Sequence, residues 1–349
     1  MSRYRWTLGG AAWFLFLATS HAQTSGPADP LFQSDEILEV RIVAPLKTIF
    51  ANRSEEKDTD GKLLHTSEAG AVSEFDIGIR ARGLFRRDKK ICPFPPLRLN
   101  FKGAQTKNTL FAKQDKVKLV THCKNKSDRY EQALLSEFVA YRILNELTDV
   151  SFRVRLMRIT YVDTDSRGKE RVSYGFIIEH KNRLAKRLGM SVAKLEQTSV
   201  SALQPNYLNL ISMFHYLIGN TDFSPIAGAK ETCCHNHVLI GTDGEPLYSV
   251  PYDFDQAGLI NAPYGITNPR FGLRSARQRL YRGRCVNNRY LDDTIALYQG
   301  KRNRINEIAT TQEGVTERYG KVMKSFLDKF FATIDSPNQV QKQIVKKCV

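Results

Sequence analysis

Between Gly219 and Gly258 the chain concentrates residues able to hold a cation and move a proton. The runs are Gly-Asn-Thr-Asp-Phe-Ser at 219–224, Cys-Cys-His-Asn-His at 233–237 and Pro-Tyr-Asp-Phe-Asp-Gln-Ala-Gly at 251–258. Two short apolar runs, 237–240 and 247–250, flank Thr242-Asp243-Gly244-Glu245, whose central Asp-Gly predicts a β-hairpin. A hairpin brings its outer ends together, so Asn236 and Asp253 should be neighbours. Asp222 should lie close if the apolar helix before it supports the hairpin. Converging Asp and Asn oxygens are hard ligands suited to Mg²⁺ that also binds phosphate oxygens. A remaining carboxylate can orient or deprotonate a hydroxyl, which completes the parts for phosphoryl transfer. Singly, each of these residues also suits a helix or strand end for backbone reasons. The ordered set around a hairpin carries the functional reading.

Neighbouring residues offer less. Ser224 has no evident His–carboxylate partner, so serine-hydrolase chemistry is not supported. His215 falls within an apolar helix and reads as a satisfied core residue. Cys233, Cys234, His235 and His237 could bind zinc, but adjacent cysteines chelate one metal poorly, and this reading ranks last. Arg270, Arg274, Arg277, Arg279, Arg282 and Arg284 could dock an acidic or phosphorylated partner or line a solvated helix face; the two readings balance.

The elements that must position these residues fall into two halves. Alternation predicts strands near 38–43, 75–81, 97–101, 117–121, 152–162 and 172–179, with a polar loop or hairpin tip over 51–73. One helix interrupts them, starting near Asp128 with Glu131 as a capping-box partner and running to Leu147. After Glu179 the pattern turns helical: a basic helix over 183–195, an apolar one opened by Pro205-Asn206, and tail helices over 290–308 and 313–334. The divisions are thus a signal at 1–22, a polar leader at 23–36, a β-rich lobe at 37–180 and a helical lobe at 181–349.

The first 22 residues combine Arg3 and Arg5, an apolar run too short to cross a bilayer comfortably, and Ser20-His21-Ala22. They predict cleavage and a periplasmic or secreted protein without a transmembrane anchor. A net charge of +16 spread along the chain suits an acidic partner and argues against nucleic acid, which would want a clustered basic patch with aromatics. In an oxidising compartment the six cysteines, Cys92, Cys123, Cys233, Cys234, Cys285 and Cys348, are disulfide candidates whose pairing stays open. A bridge from Cys233 or Cys234, to Cys285 or Cys92, would fix the loop between Asp222 and Asn236.

Taken together, the series Asp222 … Asn236 … Asp253-x-Asp255, with Ile79-Arg80-Ala81-Arg82-Gly83, the strand at 97–101, the helix led by Asp128 and Tyr174-Gly175-Phe176-Ile177-Ile178-Glu179, resembles the spore-coat (CotH) kinase family. The resemblance spans roughly residues 75–260 and implies a two-lobed, protein-kinase-like α+β fold. It implies Asp222 as catalytic base, and Asn236, Asp253 and Asp255 as ligands of Mg²⁺ or Mn²⁺. Lys118 and Glu137 become an ion pair at the phosphates, with Arg82 beside it and Lys116 and Arg98 as competitors for the lysine's place. ATP is the implied donor, and a protein or small-molecule hydroxyl the acceptor. No Gly-x-Gly-x-x-Gly loop is present; the arginines of Gly83-Leu84-Phe85-Arg86-Arg87 would replace it. The rival reading is a non-catalytic, disulfide-braced envelope or surface binding protein.

Overall fold

The computed structural model describes residues 26–54, 56–67, 69–228 and 233–349; the expected export signal lies outside them. Its first half contains β1 (Leu38–Ala44), α1 (Leu46–Asn52), β2 (Thr59–Thr66), β3 (Val72–Ala81), β4 (Leu97–Phe101) and α2 (Gly103–Thr106). It continues with β5 (Lys116–Thr121), α3 (Asp128–Leu147), β6 (Val154–Asp163) and β7 (Lys169–Ile178). These seven strands close into a barrel in the order β1-β2-β3-β4-β5-β7-β6. Neighbours are antiparallel except β1 and β6, which run parallel from Leu38 opposite Met157 to Ala44 opposite Asp163 and seal the barrel. Alternate side chains fill it, among them Ile42, Leu63, Phe75, Ile77, Ile79, Leu97 and Leu99.

This closure overturns the expected two-lobed, kinase-like fold. The missed strand is β2, inside the stretch read as a polar loop. Only Leu63 of β2 is buried, so the strand carries almost no apolar signal. Its backbone is nonetheless paired on both sides, to β1 and to β3, and those ladders hold it. A sheet with both edges joined has no open edge to protect.

The second half runs α4 (Lys181–Arg187), β8 (Ser191–Val192), α5 (Pro205–Ile218), β9 (His237–Gly241), β10 (Tyr248–Pro251), α6 (Leu291–Thr311), α7 (Glu317–Ile334) and α8 (Pro337–Gln343). The hairpin forms as expected, with β8 added to make a sheet ordered β10-β9-β8. The basic helix is shorter than 183–195 because Gly189, with φ of 68°, follows its end. Helix α3 packs in one apolar cluster with α5, α6 and α7. It starts at Asp128, but Glu131 makes no capping box; it accepts from the Tyr174 backbone N–H at 3.1 Å and ties α3 to β7. No helix among the described residues is long and apolar enough to cross a membrane.

Three disulfides are present: Cys92–Cys123, Cys233–Cys234 and Cys285–Cys348. The bridge expected from the loop cysteines to Cys285 or Cys92 is therefore not made. Those two partners are bonded elsewhere, and the adjacent pair closes on itself.

Candidate active site

Helix α5 delivers Asp222. It is buried on nearly all sides and ends at Gly219, whose φ of 66° turns the chain sharply. A Cβ there would stand 2.9 Å from Phe326, so glycine is also required by packing. The Asn220 side chain then accepts from the Asp222 N–H at 2.9 Å. Beneath this turn a chain of neutral hydrogen bonds ties α5 to the hairpin. Asn220 lies 3.2 Å from His215 Nδ1, His215 Nε2 lies 3.0 Å from His237 Nε2, and His237 Nδ1 lies 3.0 Å from the Ser249 carbonyl. Burial drives both imidazoles down, His237 to about 3, so neither is a base at neutral pH. His215 is the satisfied core residue its sequence context suggested.

The hairpin delivers Asn236 and Asp253 from its two outer ends. The Tyr252 N–H donates to the Asn236 carbonyl at 2.9 Å, and Asn236 Nδ2 donates to Asp222 Oδ2 at 3.1 Å. Asn236 and Asp253 both take left-handed backbone, with φ of 55° and 62°, which Asn and Asp tolerate better than other non-glycine residues. Beyond Asp253, the Gly258 and Leu259 N–H groups donate to the Gly219 and Ile218 carbonyls, locking the Asp253–Gly258 run to the end of α5.

Helix α3 and the segment between β3 and β4 complete the site. Glu137 and Tyr141, one turn apart on α3, face the same way. The Tyr141 hydroxyl accepts the Asp253 N–H at 2.8 Å. Glu137 meets Arg86 at 3.3 Å, and the same guanidinium reaches Asp253 at 3.2 Å and Asp255 at 3.0 Å. One cation thus serves three carboxylates and is only 7% exposed. Burial opposes its charge, but Asp255, Tyr264, Glu137 and Asp253 together hold Arg86 well above its ordinary value. The carboxyls respond in turn: burial raises Glu137 to about 8 and Asp255 to about 6.

The expected Lys118–Glu137 ion pair is not formed; Arg86 takes its place. Lys118 on β5 instead stands over the Tyr252 ring, 4.4 Å from its centroid. Burial, then the neighbouring Arg82 charge, lowers it to about 7. Arg82 is likewise depressed by burial. Both line, with Arg86, Asp222, Asn236, Asp253 and Asp255, one cleft of about 770 Å³. A second cavity of about 640 Å³ shares Lys118, Cys234 and Tyr252 with it and adds Phe152, Ile178, Leu239 and several lysines.

His235 was not foreseen in this role. Its Nε2 lies 2.8 Å from Asp222 Oδ1, and that hydrogen bond raises the imidazole above its ordinary value. Its only signal in the sequence was the Cys-Cys-His run, where disulfides led and zinc ranked last. With both cysteines oxidised and His237 tied to His215, no group of three or more His, Cys, Asp or Glu among the described residues could hold a metal. A divalent cation would need protein oxygens with a ligand position open to it. Asp253, which keeps one oxygen off Arg86, and Asn236 through its side-chain carbonyl fit that requirement; Asp255 is turned to Arg86 and fits it less well.

The arginine segment at 270–284 is irregular apart from a single 3-10 turn at Pro269–Phe271, and part of it braces the site from behind. Arg279 donates to the Leu217 carbonyl at 3.1 Å and to Phe326 at 2.6 Å, capping α5. Arg282 donates to the Thr221 and Phe223 carbonyls on either side of Asp222. Neither is available for docking a partner.

No family model and no curated protein matches the chain.

Proposed function

We propose that the cleft binds a nucleoside triphosphate, ATP as the leading donor, and transfers its terminal phosphoryl group to a hydroxyl. The observation that carries this reading is the convergence of Asp222, Asn236 and Asp253 with Arg82, Arg86 and Lys118 along one cleft. The cations are suited to phosphate oxygens, and the adjoining 640 Å³ cavity is large enough for a nucleoside. Asp222, with His235 and Asn236 fixing its two oxygens, orients the acceptor hydroxyl and takes its proton. Asp253 and Asn236 would hold Mg²⁺ (or Mn²⁺), which supplies neutralisation of charge on the phosphates when bound. The ordered Asp222 … Asn236 … Asp253-x-Asp255 series of the spore-coat kinase resemblance supports the same chemistry. Three disulfides favour an oxidising, exported location.

A second reading has its own observation. Arg86 already sits among Glu137, Asp253 and Asp255, where a cation would neutralise them. On that reading the cleft binds a polyphosphate or acidic partner without metal and without turnover. Following radiolabelled phosphate from ATP to an added acceptor or to the protein separates the two. Transfer that stops in Asp222→Asn while nucleotide binding survives supports catalysis; binding without transfer in the native protein supports the second reading.

A further inference from the structure

Three of the large apolar side chains left exposed line one feature, the mouth of the cleft. Leu84 is 82% exposed, Ile266 61% and Phe85 39%. They come from two segments far apart in sequence, the link between β3 and β4 and the stretch after Asp255. The Phe85 and Tyr264 rings, 6.3 Å apart, bring these segments together, and Tyr130 at the start of α3 lies 6.1 Å beyond Tyr264. The Ile266 N–H donates to the Gln256 side chain at 3.0 Å, which fixes the tip of the second segment. Apolar side chains clustered on a held backbone mark a surface that is covered in use. At its exposure Leu84 projects beyond the cleft wall, which suits insertion into an apolar medium rather than the grip of a groove on a peptide.

Charge identifies the medium. From Gln256 to Leu291 the chain carries seven arginines and no Asp or Glu. Arg279 and Arg282 are turned inward and Arg277 lies over Phe326, but Arg270 and Arg274 stay exposed. Arg270 directly follows Asn268 and Pro269, which line the cleft. On the other side the exposed Lys124 stands over the Tyr130 ring, 5.8 Å from its centroid. Apolar tips and aromatic rings bordered by cations match the boundary of an anionic bilayer, where acyl chains lie beneath a layer of phosphates.

We propose that the mouth of the cleft docks on an anionic lipid bilayer. Leu84, Phe85 and Ile266 enter the headgroup boundary, Lys124, Arg270 and Arg274 meet lipid phosphates, and the cleft opens onto the membrane surface. Docking of this kind does not depend on phosphoryl transfer in the cleft.

Sedimentation of the protein with vesicles tests this, phosphatidylcholine alone against phosphatidylcholine mixed with phosphatidylglycerol. Binding to the mixed vesicles is expected, at least tenfold tighter than to the neutral ones. Leu84→Ser/Ile266→Ser and Arg270→Ala/Arg274→Ala should each weaken it about tenfold. Lys47→Ala/Lys169→Ala, which removes the same charge beside α1, should weaken it far less. Leu84→Trp gives a direct reading, because both native tryptophans, Trp6 and Trp13, lie in the expected signal. Emission from position 84 should shift to the blue on mixed vesicles. The proposal fails if mixed vesicles are not bound, if Leu84→Ser/Ile266→Ser binds them undiminished, if the two charge variants weaken binding alike, or if the Leu84→Trp emission does not move.

Discussion

Arg86 brings one positive charge to three carboxylates inside the protein, and such a cluster cannot hold every acid ionised. Burial leaves Glu137 as the group that keeps its proton, with its value raised from 4.5 to about 8. The folded state therefore binds a proton that the unfolded state releases, and Glu137 makes stability fall as pH rises from about 4.5 to about 8. Glu137→Gln should flatten that slope in denaturant titrations across the window and cost little at pH 7; a slope unchanged by the substitution would contradict the assignment. Lys118 runs the other way, held at about 7 by burial and the neighbouring Arg82 charge. Arriving phosphates raise it, so nucleotide binding near pH 8 should take up a proton. Calorimetry in buffers of different ionisation enthalpy would register that uptake, and Lys118→Ala should remove it. His235 is raised above 6.5 by Asp222, so their ion pair is present below 6.5 and is lost as pH rises through the higher folded value. Both partners are well exposed, His235 by 48% and Asp222 by 36%, and the pair adds little to stability. Its effect belongs to rate: transfer should climb with pH as the imidazolium releases Asp222, and His235→Asn should flatten that limb. An unaltered profile would remove His235 from the account.

At the scale of elements, the site depends on how the segment between β3 and β4 is held. Cys92–Cys123 ties it to the end of β5, and Arg53 binds three of its carbonyls. Cys92→Ser/Cys123→Ser should lose about 2–4 kcal/mol of stability and also weaken nucleotide binding, because Arg82 and Arg86 ride on that segment. Loss of stability with binding intact would show that the bridge does not position them. The hairpin, α3 and α5 were legible in the sequence because their signals are local: an Asp-Gly turn, helical periodicity, a proline at the start and a glycine at the end. The neighbourhood of Asn236, Asp253 and Asp222 follows from that hairpin. Arg86 was legible only as one arginine of several, since its partners lie 51 to 169 residues away and no spacing rule joins them. The pairing of Asp222 with His235 spans only 13 residues and was hidden for another reason: it depends on the path of the loop between them.

For the whole molecule, the barrel was the feature least visible. Closure rests on the parallel β1–β6 pairing and on β2, a polar strand stabilised by two neighbours, and neither leaves a hydrophobic pattern. The barrel changes what the cleft is built from. One wall belongs to the barrel through Lys118, Arg82 and Arg86; the other belongs to the helical half through Asp222, Asn236, Asp253 and Asp255. The most direct test of a metal-nucleotide cleft is thermal unfolding of the native protein with ATP, in the presence and absence of Mg²⁺. The account predicts stabilisation of about 2.7 kcal/mol at a hundredfold excess over Kd with Mg²⁺, abolished in Asp253→Ala. No stabilisation at millimolar ATP with Mg²⁺, or equal stabilisation without the metal, would contradict it.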